Sequence, residues 1–259
     1  MKFYCIADTH GFLKETKQAL SDAGYFTDKD PHKLIILGDI LDRGKETKEM
    51  VEFVLEEMDK GGVILIKGNH EDLLLDLINR FPYWMNQGIF RTHHYRNGTY
   101  KTACDLANMD IFSPGWRHYE LVDKLKEHPF ITKVIPSMQD FFETKNYLFV
   151  HGWVPVEFVN DKYVIEENFR TSPNWSDARW LNGMKFHHDG VYLKDKTIVC
   201  GHFHASFGHS TYENDGPQFG AGANYNPYIK DGIMAIDAAT VYSKKVNCVI
   251  IEDEELWKN

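Results

Sequence analysis

Within the first eighty residues, apolar runs of four or five residues alternate with stretches of helical periodicity. The runs are Phe3–Ala7, Leu34-Ile35-Ile36-Leu37 and Val63-Ile64-Leu65-Ile66. Between them lie Leu13–Ala23, with Leu13, Ala19, Leu20 and Ala23 set among charged residues, and a segment carrying Met50, Val51, Val54, Leu55 and Met58. A third helix is expected from Glu71 to about Arg80. A strand that is apolar at every position must be covered on both faces, and alternation with helices makes it part of a parallel βαβ sheet. In such sheets, reactive groups gather just beyond the carboxyl ends of the strands. Asp8, Asp39 and Asn69 stand at those three places.

From residue 81 to about 144 the period loosens. Tyr83, Trp84, Phe90, Tyr95, Tyr100, Phe112, Trp116 and Tyr119 are mixed with Pro, Asn, Gly and His, and only Leu121–Glu127 reads as helical. This stretch is expected to be a cap-like insertion whose aromatics serve packing. The rhythm returns with Tyr147-Leu148-Phe149-Val150 before His151, and with Thr197-Ile198-Val199-Cys200 before Gly201-His202. Gly232–Asp237 and Val246–Glu252 are expected to close a second sheet. No repeat, linker or low-complexity segment interrupts the chain, so residues 1–259 are read as a single domain with one elaboration.

Composition excludes several classes. The apolar fraction of 43% and charged fraction of 26% suit a globular protein with a sizeable core. A formal charge of −9 argues against non-specific or stable nucleic-acid binding, although bound divalent ions would reverse the sign locally. Cysteines 5, 104, 200 and 248 have no Cys-x-x-Cys spacing, and Cys5 and Cys200 read as small buried hydrophobes. The apolar start is too short for a signal segment, and nothing approaches a membrane span of about 20 apolar residues. A cytoplasmic protein without membrane partners is the expectation.

Five short clusters carry the chemistry: Asp8-Thr9-His10-Gly11, Gly38-Asp39-Ile40-Leu41-Asp42-Arg43-Gly44, Gly68-Asn69-His70-Glu71, His151-Gly152 and Gly201-His202-Phe203-His204. Asp8 and His10, two apart in an extended segment, project to one side. The two oxygens of Asp39 can bridge a pair of cations. Asn69 adds an amide oxygen, and His151 and His202 add imidazoles. This mixed oxygen and nitrogen set without thiolate suits two divalent metal ions, Mn²⁺ first and Fe or Zn²⁺ next. Two adjacent ions point to displacement at phosphorus. His70, with Asp42 to fix its tautomer, can protonate a leaving group, and the Arg43 fork can grip phosphate oxygens. The adjacent pairs His93-His94 and His187-His188 are assigned no ligand role, because neighbouring side chains usually diverge.

Asp-x-His-Gly, Gly-Asp-x-x-Asp-Arg-Gly and Gly-Asn-His-Glu, followed by His-Gly and Gly-His, resemble the phosphoprotein phosphatase type of calcineurin-like metallophosphoesterase, over residues 8 to 204. The resemblance implies an α/β/β/α sandwich of two central mixed sheets flanked by helices. It implies Asp8, His10 and Asp39 on a first metal, and Asp39, Asn69, His151 and His202 on a second, with a bridging water or hydroxide attacking in line. His70 paired with Asp42 would then be the acid, with Arg43 and Asn69 at the phosphate. Two departures stand out. Ala7 occupies a place where that family usually has Gly, and Gly-His-x-His follows the wider superfamily, in which His204 would add a ligand. The segment Asn174–Trp180 is similar to one that brings a second arginine, here Arg179, to the phosphate. The implied activity is a serine/threonine protein phosphatase-like phosphomonoesterase acting on a phosphoprotein or small phosphoester. A dinucleoside polyphosphate or nucleotide hydrolase is the alternative; a catalytically inactive binding module or a nuclease fits less well.

Overall fold

A computed structural model describes residues 1–112 and 118–255; Trp116 lies outside them. The opening rhythm becomes β1 (Lys2–Ile6), α1 (Leu13–Asp22), β2 (His32–Leu37), α2 (Thr47–Asp59), β3 (Val63–Ile66) and α3 (Asn69–Asn79). The remaining strands are β4 (Phe141–Glu143), β5 (Tyr147–Val150), β6 (Val156–Val159), β7 (Lys162–Ile165), β8 (Thr197–Cys200), β9 (Tyr228–Lys230), β10 (Ile233–Ala235) and β11 (Val249–Glu252). One mixed sheet has the order β11-β1-β2-β3 and a second the order β4-β5-β8-β10-β9, while β6 and β7 form a separate hairpin. β1, β2 and β3 run parallel, as do β5, β8 and β10.

Alternate residues along each strand serve different cores, because successive side chains point to opposite faces. Phe3, Cys5, Ala7, Ile35, Leu37 and Ile66 of the first sheet pack against Phe149, Val199 and Ile236 of the second. The Phe3 ring lies 5.7 Å from Phe142 and 6.1 Å from Phe149. The intervening residues Tyr4, Ile6, Leu34, Ile36 and Leu65 turn outward to the helices. On the far side, Leu148, Val150, Ile198, Cys200, Ile233 and Ala235 pack with Trp153, Trp175 and Met184. Four layers result, the α/β/β/α sandwich expected.

Two differences from expectation concern the outer segments. Val246–Glu252 does not close the second sheet: β11 runs antiparallel to β1 in the first, with Phe3 opposite Ile251, and Ile251 joins the core between the sheets. Its apolar side chains announce burial but not the partner. In its described residues, the stretch from 81 to 137 is helical in short pieces that include Phe81–Asn86, His93–Arg96, Thr99–Ala107 and His118–Glu127. Pro82, Gly88, Gly98 and Pro129 break it into segments too short to display a period. Its residues Phe81, Ile89, Tyr100, Ala103, Leu121 and Phe130 share a core cluster with those of α2 and α3. Cys5, Cys104 and Cys200 are free and buried, and Cys248 is free and partly buried. Among the described residues, no helix is long and apolar enough to cross a membrane.

Phe149 is fully buried between the sheets. Phe149→Ala is expected to lower unfolding free energy by about 3–5 kcal/mol, the usual cost of a large aromatic cavity. Urea denaturation followed by circular dichroism measures it; a loss below about 1 kcal/mol would contradict the inter-sheet core.

Candidate metal centre

The parallel strands end together, and each is followed within a few residues by a polar group: Asp8 and His10 after β1, Asp39 after β2, Asn69 after β3, His151 after β5, His202 after β8 and Asp237 after β10. The backbone carrying these groups is strained. Among the described residues, twelve non-glycine positions have positive φ, and six belong to this site: Asp8 (51°), His10 (48°), Asp39 (51°), Asp42 (76°), Arg43 (64°) and His202 (64°). Such conformations persist only where the surroundings enforce them, at about 1–3 kcal/mol each, and they cluster at functional sites.

Glu71 supplies much of that enforcement. Its buried carboxylate accepts from the backbone N–H groups of Asp39 (3.0 Å), Ile40 (3.0 Å) and Gly68 (2.8 Å), which ties the β2 loop to the start of α3. His10 N–H donates to Asp39 O (2.9 Å) and Gly11 N–H to Ile40 O (2.7 Å), joining the β1 and β2 loops. Two glycines permit the contact. A Cβ on Gly68 would lie 2.2 Å from Asp39 Oδ1, and one on Gly201 would lie 2.2 Å from Asp8 Oδ2.

Asp39 occupies the middle. Its Oδ2 faces His10 Nε2 at 3.8 Å and His70 Nε2 at 3.7 Å, whereas its Oδ1 faces His151 Nε2 at 3.3 Å. The atoms able to ligate a cation accordingly fall into two groups that share this carboxylate: His10, Asp39 and His70, and Asp39, His151 and His202. The tautomers follow from the carbonyls behind the rings. His151 Nδ1 lies 2.6 Å from Leu37 O and His10 Nδ1 lies 3.0 Å from Leu41 O, so both Nδ1 atoms carry the proton and both Nε2 lone pairs face inward. With the Asn69 amide oxygen also turned inward, 2.8 Å from His151 Nε2, two acceptors meet there with no proton between them, while His10 Nε2 is covered by Arg43. A divalent cation is the species that satisfies such a set.

The electrostatics agree. Burial, then Asp237 and Asp39, push the Asp8 carboxyl well above the usual range; burial holds Asp237 up to about 7. Asp39 is held low: burial opposes its charge, but His151, His70, His10 and His202 outweigh it. Burial holds His10 well below its ordinary value, with Arg43 adding to the effect, and burial likewise lowers His151 and brings His202 to about 3. With His10, His151 and His202 neutral and available as ligands, Asp39 loses the positive neighbours that hold it low, and bound cations would take their place.

His70 Nδ1 lies 2.6 Å from Asp42 Oδ2, which also accepts from Thr99 Oγ1 at 2.7 Å. Burial works against a charged His70, yet Asp39 and the Asp42 hydrogen bond raise its pKa overall. Arg43 donates from Nη1 to His10 Nε2 (2.8 Å) and from Nη2 to His70 Nε2 (3.0 Å). Protonation at His70 Nε2 would set donor against donor, so that proton and the Arg43 fork exclude each other.

Asp39, Asn69, His151 and His202 thus meet, as do His10, Asp42, Arg43 and His70. Asp8 stands in neither ligand group; its Oδ2 accepts from His202 N–H at 2.9 Å. His204 is likewise in neither: its Nδ1 lies 2.8 Å from Ser206 Oγ and its ring 4.5 Å from Phe219, on the wall of a cavity of about 360 Å³ that opens beside His10 and Arg43. Arg96, Asn97, Phe219, Asp237 and Tyr242 also line it. Arg179 is buried with its two Nη atoms bound to Asp72 and Asp140. Two contributors escaped the sequence reading, and a third, Glu71, entered it only as the last residue of the Gly68–Glu71 cluster, without a role. Asp237 ends the apolar run Ile233–Ile236 just as Asp8 ends the first one, a usable signal. Thr99 acts on a residue distant in sequence and left none.

The sequence profile described as calcineurin-like phosphoesterase matches residues 1–220. Among characterised proteins, the asymmetrical bis(5'-nucleosyl)-tetraphosphatases of Bacillus subtilis (28% identical) and Bacillus velezensis (30%) align over 98 residues, 36% of this chain. The alignment takes in only 40% and 39% of those relatives. Among solved structures, the cold-active protein-tyrosine phosphatase of a psychrophilic Shewanella has a TM-score of 0.51 at 19% identity, covering 97% of this chain and 75% of the other. A protein serine/threonine phosphatase of Saccharomyces cerevisiae scores 0.50 at 14%, covering 100% and 81%. These likenesses show the shared fold.

Glu71→Ala leaves three buried N–H donors without an acceptor, at about 1–3 kcal/mol each. We expect a loss of several kcal/mol in urea denaturation together with at least a tenfold weaker uptake of Mn²⁺ by calorimetry. Unchanged metal affinity in a folded Glu71→Ala protein would contradict its bracing role.

Proposed function

Because the chain belongs to the calcineurin-like phosphoesterase family, we propose that it is a metal-dependent phosphoester hydrolase whose centre holds two divalent ions, with phosphomonoesters, including phosphoserine and phosphothreonine in proteins, as the substrate class. The observation that carries this reading is the buried carboxylate of Asp39, whose two oxygens face two separate imidazole groups. His10 and Asp39, with Asp8 beside them, would hold one ion; Asp39, Asn69, His151 and His202 would hold the other. Mn²⁺ suits the set best, with Fe or Zn²⁺ as alternatives. Such ions, when bound, supply Lewis acidity and an activated water.

The chain's own groups account for the rest. Arg43 presents a planar fork at the mouth of the cavity, with the geometry to hold two phosphate oxygens once it leaves His10 and His70. His70, oriented by Asp42 and Thr99, can then carry a proton at Nε2 and deliver it to the departing oxygen. Transfer of the fork from imidazole to phosphate and protonation of His70 are thus coupled.

A second reading, hydrolysis of a nucleotide or dinucleoside polyphosphate, has specific support in the cavity beside Arg43. Phe219 and Tyr242 lie there 4.8 Å apart with Arg96 nearby, a surface on which a base can stack. The tetraphosphatase names of the partial relatives lean the same way.

Asp39→Asn is expected to abolish metal-dependent turnover, and His70→Asn to slow it about 10²–10⁴-fold with metal content intact. Loss of metal in His70→Asn would make that ring a ligand. Chelation should remove activity and Mn²⁺ restore it. Assaying phosphopeptides beside diadenosine tetraphosphate separates the substrate readings, since a higher kcat/KM for the dinucleotide would displace the phosphomonoester one.

A further inference from the structure

Asp76, near the carboxyl end of α3, meets His93 and His94 of the short helix His93–Arg96. One potential ligand atom from each residue lies within 4.8 Å of the other two. The adjacent imidazoles do not diverge: their centroids are 4.1 Å apart, and the Trp84 indole meets both edge-on, at 4.9 Å and 4.7 Å. Trp84 Nε1 donates to Asp76 Oδ2 at 2.9 Å, and His94 Nε2 lies 3.1 Å from that same oxygen.

Protein groups alone leave His94 incompletely satisfied. Its side chain is fully buried, and its Nδ1 has no hydrogen-bond partner. With the proton on Nε2, shared with Asp76, the Nδ1 lone pair is bare. With the proton on Nδ1, an acceptor lone pair faces the carboxylate instead. Double protonation is opposed by burial first and by His93 second, which bring this ring to about 4. An unmet buried polar atom is costly, and a bound ion is one way to meet it.

We propose that Asp76, His93 and His94 form a separate mononuclear metal site for a Zn²⁺-class ion, completed by water. Two imidazoles and a carboxylate are a donor set for that class, and an indole donating to the carboxylate is the kind of outer contact that orients a metal ligand. Arg80, whose Nη1 donates to Asp76 Oδ1 at 3.3 Å and whose guanidinium lies over the Tyr83 and Trp84 rings, is more than half exposed and would give up that one bond when a cation arrives. The ion would clasp α3, which begins with Asn69 and His70, to the segment that presents Arg96 and Asn97 to the cavity and Thr99 to Asp42. It would brace the principal centre without touching substrate.

The test is a count of Zn²⁺ per chain, by elemental analysis of protein loaded with Zn²⁺ and then dialysed, for wild type, His93→Gln and Asp76→Asn. His93 is only partly buried, so His93→Gln should stay folded, and Asp76→Asn gives an independent second variant. Each variant is expected to bind one ion fewer than wild type and to melt at a lower temperature only when Zn²⁺ is present. The readout is a difference of one, which does not depend on how many ions the principal centre takes. Equal counts in wild type and in either folded variant would overturn the site.

Discussion

Everything at the catalytic end depends on one buried carboxylate. Asp39 is almost without solvent, and its charge stands against the cost of burial only with positive charge beside it, from the four surrounding imidazoles or from bound cations. A lone carboxylate in such a place would be strongly destabilising, whereas one shared by cations is held on both oxygens. The two sheets matter because they bring the strand ends to this point: β1, β2 and β3 deliver His10, Asp39 and Asn69 from one side, and β5 and β8 deliver His151 and His202 from the other. The inter-sheet core of Phe3, Phe149 and their neighbours fixes how far apart those ends sit.

The cost of this convergence appears in the backbone. Side chains on three adjacent loops can aim at one small volume only if several non-glycine residues adopt left-handed conformations. Glu71 opposes the resulting tendency to relax by holding three N–H groups at once. Charge and strain are therefore coupled: the loops are tight because the ligands must meet, and they meet because apolar sheets and one glutamate hold the loops.

What the sequence disclosed is what is local. Asp8, Asp39, Asn69, His151 and His202 each follow an apolar run within a few residues, so strand and ligand are read together. Glu71 acts on residues 31 and 32 positions away, and Thr99 reaches Asp42 across 57, distances over which no periodicity speaks. The apolar run of β11 revealed burial but not that β1 would be its neighbour. His93 and His94 come together because Trp84 and Asp76 draw both rings to one side, against the usual divergence of adjacent residues. Asp237 was legible in principle, since its strand ends as the others do.

The central claim, two ions sharing Asp39, is tested most directly by electron paramagnetic resonance of the protein loaded with Mn²⁺, together with its metal content. Two ions bridged by one carboxylate should give two Mn²⁺ per chain and an exchange-coupled spectrum. One ion per chain, or the spectrum of isolated and uncoupled Mn²⁺, would contradict it.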